Sequence, residues 1–390
     1  MSEILSTNPL AIRYLILYEV LLKRSVEEGY QNLCEALGNN QYDYVDYQFW
    51  YYRFYHGNVD LEYDRSADPK QLVLFDLPSE ILGLIVGELD IKDRMRTRKV
   101  CHLLRDTVDR QPIVINDCAV RLPFDRTSGL ELNEYINQYS QKDQNCVIYC
   151  NHPKRSKQIQ INEAYHMDIV LNDLAILFKS SNVRIDDLEL VFKREAKYGV
   201  DSCLRLIRKV SNLYVDGLVL KVENTKLALS ALSSFKPGSF RCLTIDFCVP
   251  KKEVGILYDS RIIGTEQFRQ AEEIDIVKYG IIDPIHLESF YHCNRFTITL
   301  SSLSAENILQ LRDALASSDN FEECFIYLSR PLNLSNIGKS LEANVSDGAP
   351  FFNCEYPCPD TDSYLDIKVR PSKVFIFCYS TLESDDENSN

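Results

Sequence analysis

The stretch LVLFDLPSEILGLIVGELDIKDRMRTRKVCHLLRDTVD, residues 72–109, carries the most informative pattern in the chain. Pro78 suits the first turn of a helix, and three apolar residues follow at helical spacing: Ile81, Ile85 and Leu89. Asp90 can cap a second helix, and a third has an apolar face made of Val100, Leu103 and Leu104. A three-helix unit of roughly 40 residues is too small to hide all of its apolar surface. We therefore expect part of that surface to meet a partner or a neighbouring domain.

This stretch resembles the F-box, whose pattern is matched by Leu77, Pro78, Glu80, Ile81, Leu82, Ile85, Leu89, Val100, Cys101 and Arg105. It departs from many F-boxes at two positions, where Arg94 replaces Leu and Leu104 replaces Trp, and both changes are familiar in the nematode F-box A group. The resemblance implies docking on a Skp-family adaptor and, through it, on a cullin. We predict that docking is carried by Leu77, Pro78, Ile81, Ile85, Leu89, Val100 and Leu104.

Residues 1–70 predict three helices. The first runs from about Pro9 to Lys23 and should bury a stripe made of Leu10, Tyr14, Leu17 and Leu21. The second begins with a capping box formed by Ser25 and Glu28 and ends at Gly38. The third, at about 42–56, is dense in aromatic residues and should pack on more than one side.

This N-terminal segment resembles the helix-turn-helix domain of mariner-type transposases, in which the third helix would enter the DNA major groove. Here that helix offers only Gln48 and Arg53 as base-reading side chains. Residues 1–70 hold 6 basic and 11 acidic residues, so they lack the positive charge that supplies most DNA affinity. We therefore favour a structural or protein-contact role for this domain.

Within residues 116–382, short strand-like segments recur, and helical patterns lie between several of them. The strand-like segments are 188–192, 218–222, 243–247, 273–277, 296–300 and 324–328. A repeat of one strand and one helix is typical of leucine-rich-repeat solenoids, and an open α/β sheet is the alternative. The segment 296–328 resembles the FTH domain, which follows the F-box in nematode F-box A proteins.

The charge balance and the sequence motifs argue against nucleic-acid binding, membrane spanning, metal binding and catalysis. A net charge of −14 disfavours bulk binding of nucleic acid or of anionic membrane. No segment is apolar for long enough to span a membrane, and the 13 cysteines lack Cys-x-x-Cys spacing, so we expect reduced thiols and no metal. No known catalytic motif is present in the sequence. His292 and Cys293 are neighbours, but adjacent residues seldom face each other, so we do not interpret them as a nucleophile and its base. We predict no catalytic residue and no cofactor.

The predicted fold class is α+β multidomain: a small all-α helix-turn-helix domain (1–70), a three-helix F-box (71–115), a leucine-rich-repeat-like β/α solenoid (116–382) and an acidic disordered tail (383–390). We predict a non-catalytic substrate-recognition adaptor of an SCF-type ubiquitin ligase, cytoplasmic or nuclear, that binds an unknown protein substrate. One alternative is a non-degradative protein-interaction factor. The other is a DNA-associated factor that uses the first domain.

Overall fold

The computed structural model of the chain describes residues 8–38, 42–68, 73–122, 126–152, 156–179, 182–193, 197–210, 212–248, 260–278, 280–343, 345–346, 348–359 and 361–380. The chain divides into two compact units, residues 1–77 and 78–390. The predicted acidic tail, residues 383–390, lies outside the described residues.

The first unit contains three helices, α1 (Pro9–Leu21), α2 (Val26–Ala36) and α3 (Tyr44–Tyr55). The predicted capping box is confirmed: the Glu28 amide donates to the Ser25 hydroxyl at 3.2 Å, and the Ser25 amide donates to the Glu28 carboxylate at 3.3 Å. Helix α3 supplies four of the nine buried residues of the described core, and two of them, Tyr47 and Trp50, are almost fully buried. The aromatic density of the third helix thus reflects a packing role.

The stripe predicted for α1 (Leu10, Tyr14, Leu17 and Leu21) was wrong, because the helix buries its opposite side. The buried residues are Ile12, Ile16 and Glu19. Helix α1 is apolar nearly all round, so its periodicity alone could not select a face. Glu19 can be buried because its carboxylate accepts hydrogen bonds from Arg24 at 2.9 Å and from Asn32 at 3.1 Å.

The second unit begins with three short helices, α4 (Ser79–Gly87), α5 (Ile91–Thr97) and α6 (His102–Arg110). Asp90 caps α5 as predicted, and its carboxylate accepts from the Asp93 amide at 2.7 Å. A bidentate ion pair joins Arg98 and Asp109, with N–O distances of 2.6 and 3.0 Å, and it holds the end of α5 against α6.

A 14-stranded mixed sheet follows. Its strands are β1 (Ile113–Leu122), β2 (Thr127–Leu132), β3 (Tyr135–Lys142), β4 (Asn145–Asn151), β5 (Lys157–Ile161), β6 (Asn182–Phe192), β7 (Asn212–Val222), β8 (Cys242–Phe247), β9 (Glu273–Asp275), β10 (Arg295–Leu300), β11 (Glu323–Leu328), β12 (Phe352–Pro357), β13 (Ser363–Arg370) and β14 (Lys373–Ser380). Its helices are α7 (His166–Leu177), α8 (Lys197–Lys209), α9 (Thr225–Leu232), α10 (Glu266–Arg269), α11 (Ala305–Ala316) and α12 (Leu334–Ser340).

The strand order across the sheet is β12-β13-β14-β11-β10-β9-β8-β7-β6-β1-β2-β3-β4-β5. Strands β6 to β11 are parallel and lie side by side in chain order, and β1 is parallel to β6. Antiparallel strands extend the sheet at both ends. All six predicted strand segments fall within or overlap β6 to β11. Chain order with intervening helices agrees with the predicted strand-and-helix units, while a leucine-rich-repeat-like solenoid stays a prediction.

Side chains alternate between the two faces of the sheet, as they do in every strand. One face is fully buried in the main core, with residues such as Ile185, Leu220, Ile298 and Ile326 at 0% exposure. Side chains on the other face, which we call the outer face, are only partly buried in most strands. The outer face therefore remains accessible to a partner.

Candidate functional site

Helix α4 turns an apolar side toward solvent. Ile81 is 41% exposed, Leu84 68% and Ile85 44%. The spacing of three and four residues places them on one side of the helix. On the other side, Leu82 and Val86 are buried. Helix α4 is thus apolar on both sides, and only one of them is used by the fold.

The third helix of this group adds to the exposed apolar surface. Val100, just before α6, is 68% exposed, and Leu103 is 43% exposed. The next residue, Leu104, is buried and packs with Val86 and Val108 in the small core between α4 and α6. We call the exposed set Ile81, Leu84, Ile85, Val100 and Leu103 the F-box apolar face.

The structure sorts the seven residues predicted for docking into three groups. Pro78, Ile81, Ile85 and Val100 are exposed, and Leu77 and Leu89 are half-buried. Leu77 is the last residue of the first unit. Leu104 is the correction, because its side chain builds the helix core and cannot meet a partner in the folded domain.

Sequence reasoning left two residues out of the predicted docking set, Leu84 and Leu103. A signal for Leu84 was present, since it lies three residues after Ile81 and hence on the same side of α4. For Leu103 the sequence held no deciding signal. Two adjacent leucines begin α6, and only the packing of α6 on α4 determines which of them is buried.

Arg94, which departs from the F-box pattern, closes the end of α4. Its Nε donates to the Leu89 carbonyl at 2.9 Å, one Nη donates to the Pro112 carbonyl at 2.8 Å, and the other donates to the Gly87 carbonyl. The last carbonyls of a helix lack partners within it, so a guanidinium is well suited to this position. The substitution therefore has a structural role here.

Helix α5 anchors the three-helix group to the sheet. Ile91 is part of the main core, and Met95 packs against that core. Tyr135 of β3 donates to the Asp90 carboxylate at 3.2 Å, and the Lys92 ammonium lies 4.4 Å from the centroid of the same ring. The three helices and the sheet are therefore packed together within the second unit.

In the first unit, the two base-reading candidates of α3 contact neighbouring side chains. The Arg53 guanidinium lies 3.5 Å from the ring centroid of Tyr63. The Gln48 amide donates to the Tyr44 hydroxyl at 3.3 Å. These contacts within the unit stabilise the domain, so we do not propose DNA binding through α3.

Two pairs of side chains with nucleophilic potential are structural. The Cys293 thiol lies 3.6 Å from Nε2 of His292, but Cys293 is fully buried, and burial raises the pKa of its thiol to about 12. The Ser128 hydroxyl lies 3.0 Å from Nδ1 of His166, and both residues are buried. Neither nucleophilic group, the Cys293 thiol or the Ser128 hydroxyl, is accessible to a substrate.

Two features are absent from the described part of the chain. Within it, no group of three or more His, Cys, Asp or Glu side chains is placed to hold a metal ion. Among the same residues, none of the helices has the length and apolar character that crossing a membrane requires.

Three family models match consecutive parts of the chain. Residues 9–58 match the HTH domain in Mos1 transposase, residues 74–116 the F-box domain and residues 200–344 the FTH domain. The chain is also 25% identical over 385 residues to F-box A protein 224 of Caenorhabditis elegans, a match that covers 95% of this chain and 93% of that protein.

The F-box match indicates which class of protein the F-box apolar face is suited to bind. F-box domains typically bind Skp-family proteins, and F-box proteins are in general non-catalytic adaptors. The F-box apolar face lies wholly within the matched range 74–116. The matches confirm the resemblance to F-box A proteins and identify an HTH domain, an F-box domain and an FTH domain, in that order, along this chain.

Proposed function

We propose that this chain is a substrate-recognition adaptor of an SCF-type ubiquitin ligase. The F-box apolar face docks on a Skp-family adaptor, which connects the chain to a cullin. The sheet of the second unit binds a target protein and presents it for ubiquitination. The chain contributes binding and carries out no chemical step.

The exposed apolar side chains of the F-box are the observation that carries this proposal. Leu84 and Val100 are each 68% exposed, and the other three residues of the F-box apolar face, Ile81, Ile85 and Leu103, are each more than 40% exposed. Large apolar side chains that a fold leaves exposed on one helix, as Ile81, Leu84 and Ile85 are on α4, are typical of interaction sites. Truncating a central residue of such a surface typically costs about 1–4 kcal/mol of binding free energy.

The proposed mechanism is proximity. A scaffold that holds a target near the charged conjugating enzyme raises the effective concentration of the target's lysines. The packing of Ile91 and Met95 into the main core supports this view, because it limits movement between the docking helices and the sheet. We also propose that β6 to β11 form a leucine-rich-repeat-like solenoid, supported by their parallel arrangement in chain order.

The proposed compartment is the cytosol or the nucleus. None of the 13 cysteines forms a disulfide. Free thiols are typical of reducing compartments.

A pull-down of a purified Skp-family adaptor tests the proposal. The full-length wild type should retain the adaptor, and a Leu84→Asp/Ile85→Asp variant should lose it, because two charges would be buried without partners. Ile285→Asp is the matched control, since Ile285 is 78% exposed on the FTH part of the chain. Retention by all three proteins, or by none, would contradict the proposal.

A second experiment addresses the non-degradative alternative. Proteins captured by the full-length chain are quantified in cells that express either the wild type or the Leu84→Asp/Ile85→Asp variant. Adaptor function predicts that a captured target becomes more abundant when the docking residues are changed. Unchanged abundance would favour an interaction that does not lead to degradation.

A further inference from the structure

The outer face of the sheet carries a group of aromatic and basic side chains on three neighbouring strands, β13, β14 and β11. Strand β14 pairs with β11 on one side and with β13 on the other. Along β14, Val374 and Ile376 are fully buried, so Lys373, Phe375 and Phe377 lie on the outer face. We call this group the aromatic–basic patch and define it as Phe325, Tyr327, Phe375, Phe377, Arg370 and Lys373.

The rings of the patch contact one another. Ring centroids lie 5.3 Å apart for Phe325 and Phe375, 5.6 Å apart for Phe325 and Phe377, and 6.3 Å apart for Tyr327 and Phe375. All four rings are only partly buried, although the opposite face of the same strands is fully buried. Aromatic side chains concentrated at an accessible surface are typical of protein–protein contacts.

Two carboxylates border the patch, and each pairs with a basic residue outside it. Asp366 and Glu323 both lie opposite Phe377 in the strand register, and they pair with Lys368 at 2.9 Å and with Arg295 at 3.9 Å. Arg370 lies opposite Lys373 in the β13–β14 register. Within the described ranges, neither Arg370 nor Lys373 has a carboxylate oxygen within 4.0 Å. Lys221 of β7, on the same face, differs because it pairs with Glu189 at 2.6 Å. In a chain of net charge −14, these two neighbouring cations, Arg370 and Lys373, can attract a carboxylate of a ligand.

We propose that the aromatic–basic patch binds an acidic, extended segment of the target protein. Carboxylates of the segment would contact Arg370 and Lys373, and its apolar side chains would lie on the rings of Phe325 and Phe375. Like charges placed opposite each other on adjacent strands destabilise a sheet, and an acidic ligand relieves this repulsion. The inference rests on the proposed adaptor function, since it assigns the target's chemistry and the surface that binds it.

The geometry of the rings favours a peptide over single-stranded nucleic acid. Base stacking needs free ring faces. Here Lys373 lies 5.3 Å from the centroid of Tyr327 and Lys368 lies 4.8 Å from that of Phe377. The ring planes of Phe325 and Phe377 meet at 86°, which presents edges as well as faces. The negative charge of the whole chain also opposes a polyphosphate ligand.

Fluorescence anisotropy with the full-length chain tests the proposal. The probe is a labelled peptide in which glutamates alternate with leucine and phenylalanine. The comparison probes are the same peptide with glutamine in place of glutamate, and a labelled oligouridylate. We expect the glutamate peptide to bind, and its affinity should fall as the salt concentration rises because exposed charges are screened.

Charge reversal locates the binding surface. The variant Arg370→Glu/Lys373→Glu should weaken binding of the glutamate peptide at least about tenfold. The control Lys197→Glu/Lys226→Glu makes the same change in net charge on exposed residues at the starts of α8 and α9, where an acidic residue suits the helix dipole. The control should bind like the wild type.

The outcomes separate this inference from the adaptor proposal, because each variant is also tested for retention of the Skp-family adaptor. Peptide binding lost in the patch variant, with the adaptor retained, supports the inference and shows that the variant is folded. Four results would overturn it: no binding of the glutamate peptide, equal binding of the glutamine peptide, tighter binding of oligouridylate, or equal losses in both variants. Each of them leaves the docking of the F-box to be judged by its own pull-down.

Discussion

Adjacent residues Leu103 and Leu104 have opposite environments, although they are chemically identical. Leu104 is 5% exposed and packs with Val86 and Val108, whereas Leu103 is 43% exposed. This difference in exposure gives the two leucines of one apolar sequence motif different roles. One leucine stabilises the F-box helices and the other is available to a partner.

The Leu104→Ala substitution should destabilise the F-box helices by about 2–4 kcal/mol, since it leaves a cavity in a small core. The Leu103→Ala substitution should change stability by less than about 0.5 kcal/mol and should weaken adaptor binding instead. Hydrogen exchange of α4 and α6 amides measures the first effect, and calorimetric titration with the Skp-family adaptor measures the second. Equal protection in the two variants would contradict these assignments.

His166 makes the second unit sensitive to acid. Burial holds the pKa of His166 below its ordinary value of 6.5, although the nearby Asp168 carboxylate acts in the opposite direction. Because the folded-state pKa is the lower one, the unfolded chain takes up the proton first as the pH falls. His166 therefore contributes its full stability above about pH 6.5, and this contribution is lost as the pH falls toward the lower folded-state pKa.

The thermal unfolding temperature of the second unit should accordingly be lower at about pH 5.5 than at about pH 7.5. His166→Gln should reduce this fall, because glutamine can bond to the Ser128 hydroxyl and does not titrate in that range. Differential scanning calorimetry of both proteins at the two pH values is the measurement. If the unfolding temperature of the variant depends on pH as strongly as that of the wild type, groups other than His166 cause the dependence.

At the scale of the element, the end of α4 depends on a side chain from the following helix. Arg94 donates hydrogen bonds to the carbonyls of Gly87, Leu89 and Pro112. Arg94→Leu restores the residue that many F-boxes carry, and yet it should destabilise this F-box by about 1–3 kcal/mol, since the part-buried carbonyls of Gly87 and Leu89 would lose a charged hydrogen-bond donor.

Arg96→Leu is the matched control for Arg94→Leu. The Arg96 side chain is 67% exposed and pairs only with Asp93, so its loss should change stability by less than about 0.5 kcal/mol. Hydrogen exchange of α4 in the two variants makes the comparison. An Arg94→Leu protein as protected as the Arg96→Leu protein would show that the carbonyl contacts contribute little.

Elements whose signals are local could be predicted from the sequence. The Ser25–Glu28 capping box, the Asp90 cap and the apolar strands β6 to β11 depend on short patterns, and the structure confirms them. Some antiparallel strands were missed because their sequences are polar, as in the segment KQIQI of β5. Others, such as KVFIFCYS of β14, carry an apolar alternation that the prediction overlooked. The buried side of α1 was wrong because a helix that is apolar all round gives no preferred direction.

At the scale of the whole molecule, the F-box and the sheet share a core through α5. Ile91 is buried in that core with Ile113 and Ile115 of β1. The F-box apolar face and the aromatic–basic patch therefore belong to one packed unit, an arrangement that suits the proposed adaptor function. The F-box motif predicted the partner class, but the docking side chains could be sorted only after the helices were packed.

The most direct test of the docking proposal is hydrogen exchange of the full-length chain with and without a purified Skp-family adaptor. Amides near a contact surface exchange more slowly when a partner covers them. We predict that the adaptor slows exchange in α4, in α6 and around Val100, and leaves β11, β13 and β14 unchanged. Protection confined to the sheet, or no protection in α4 and α6 at saturating adaptor, would contradict the account.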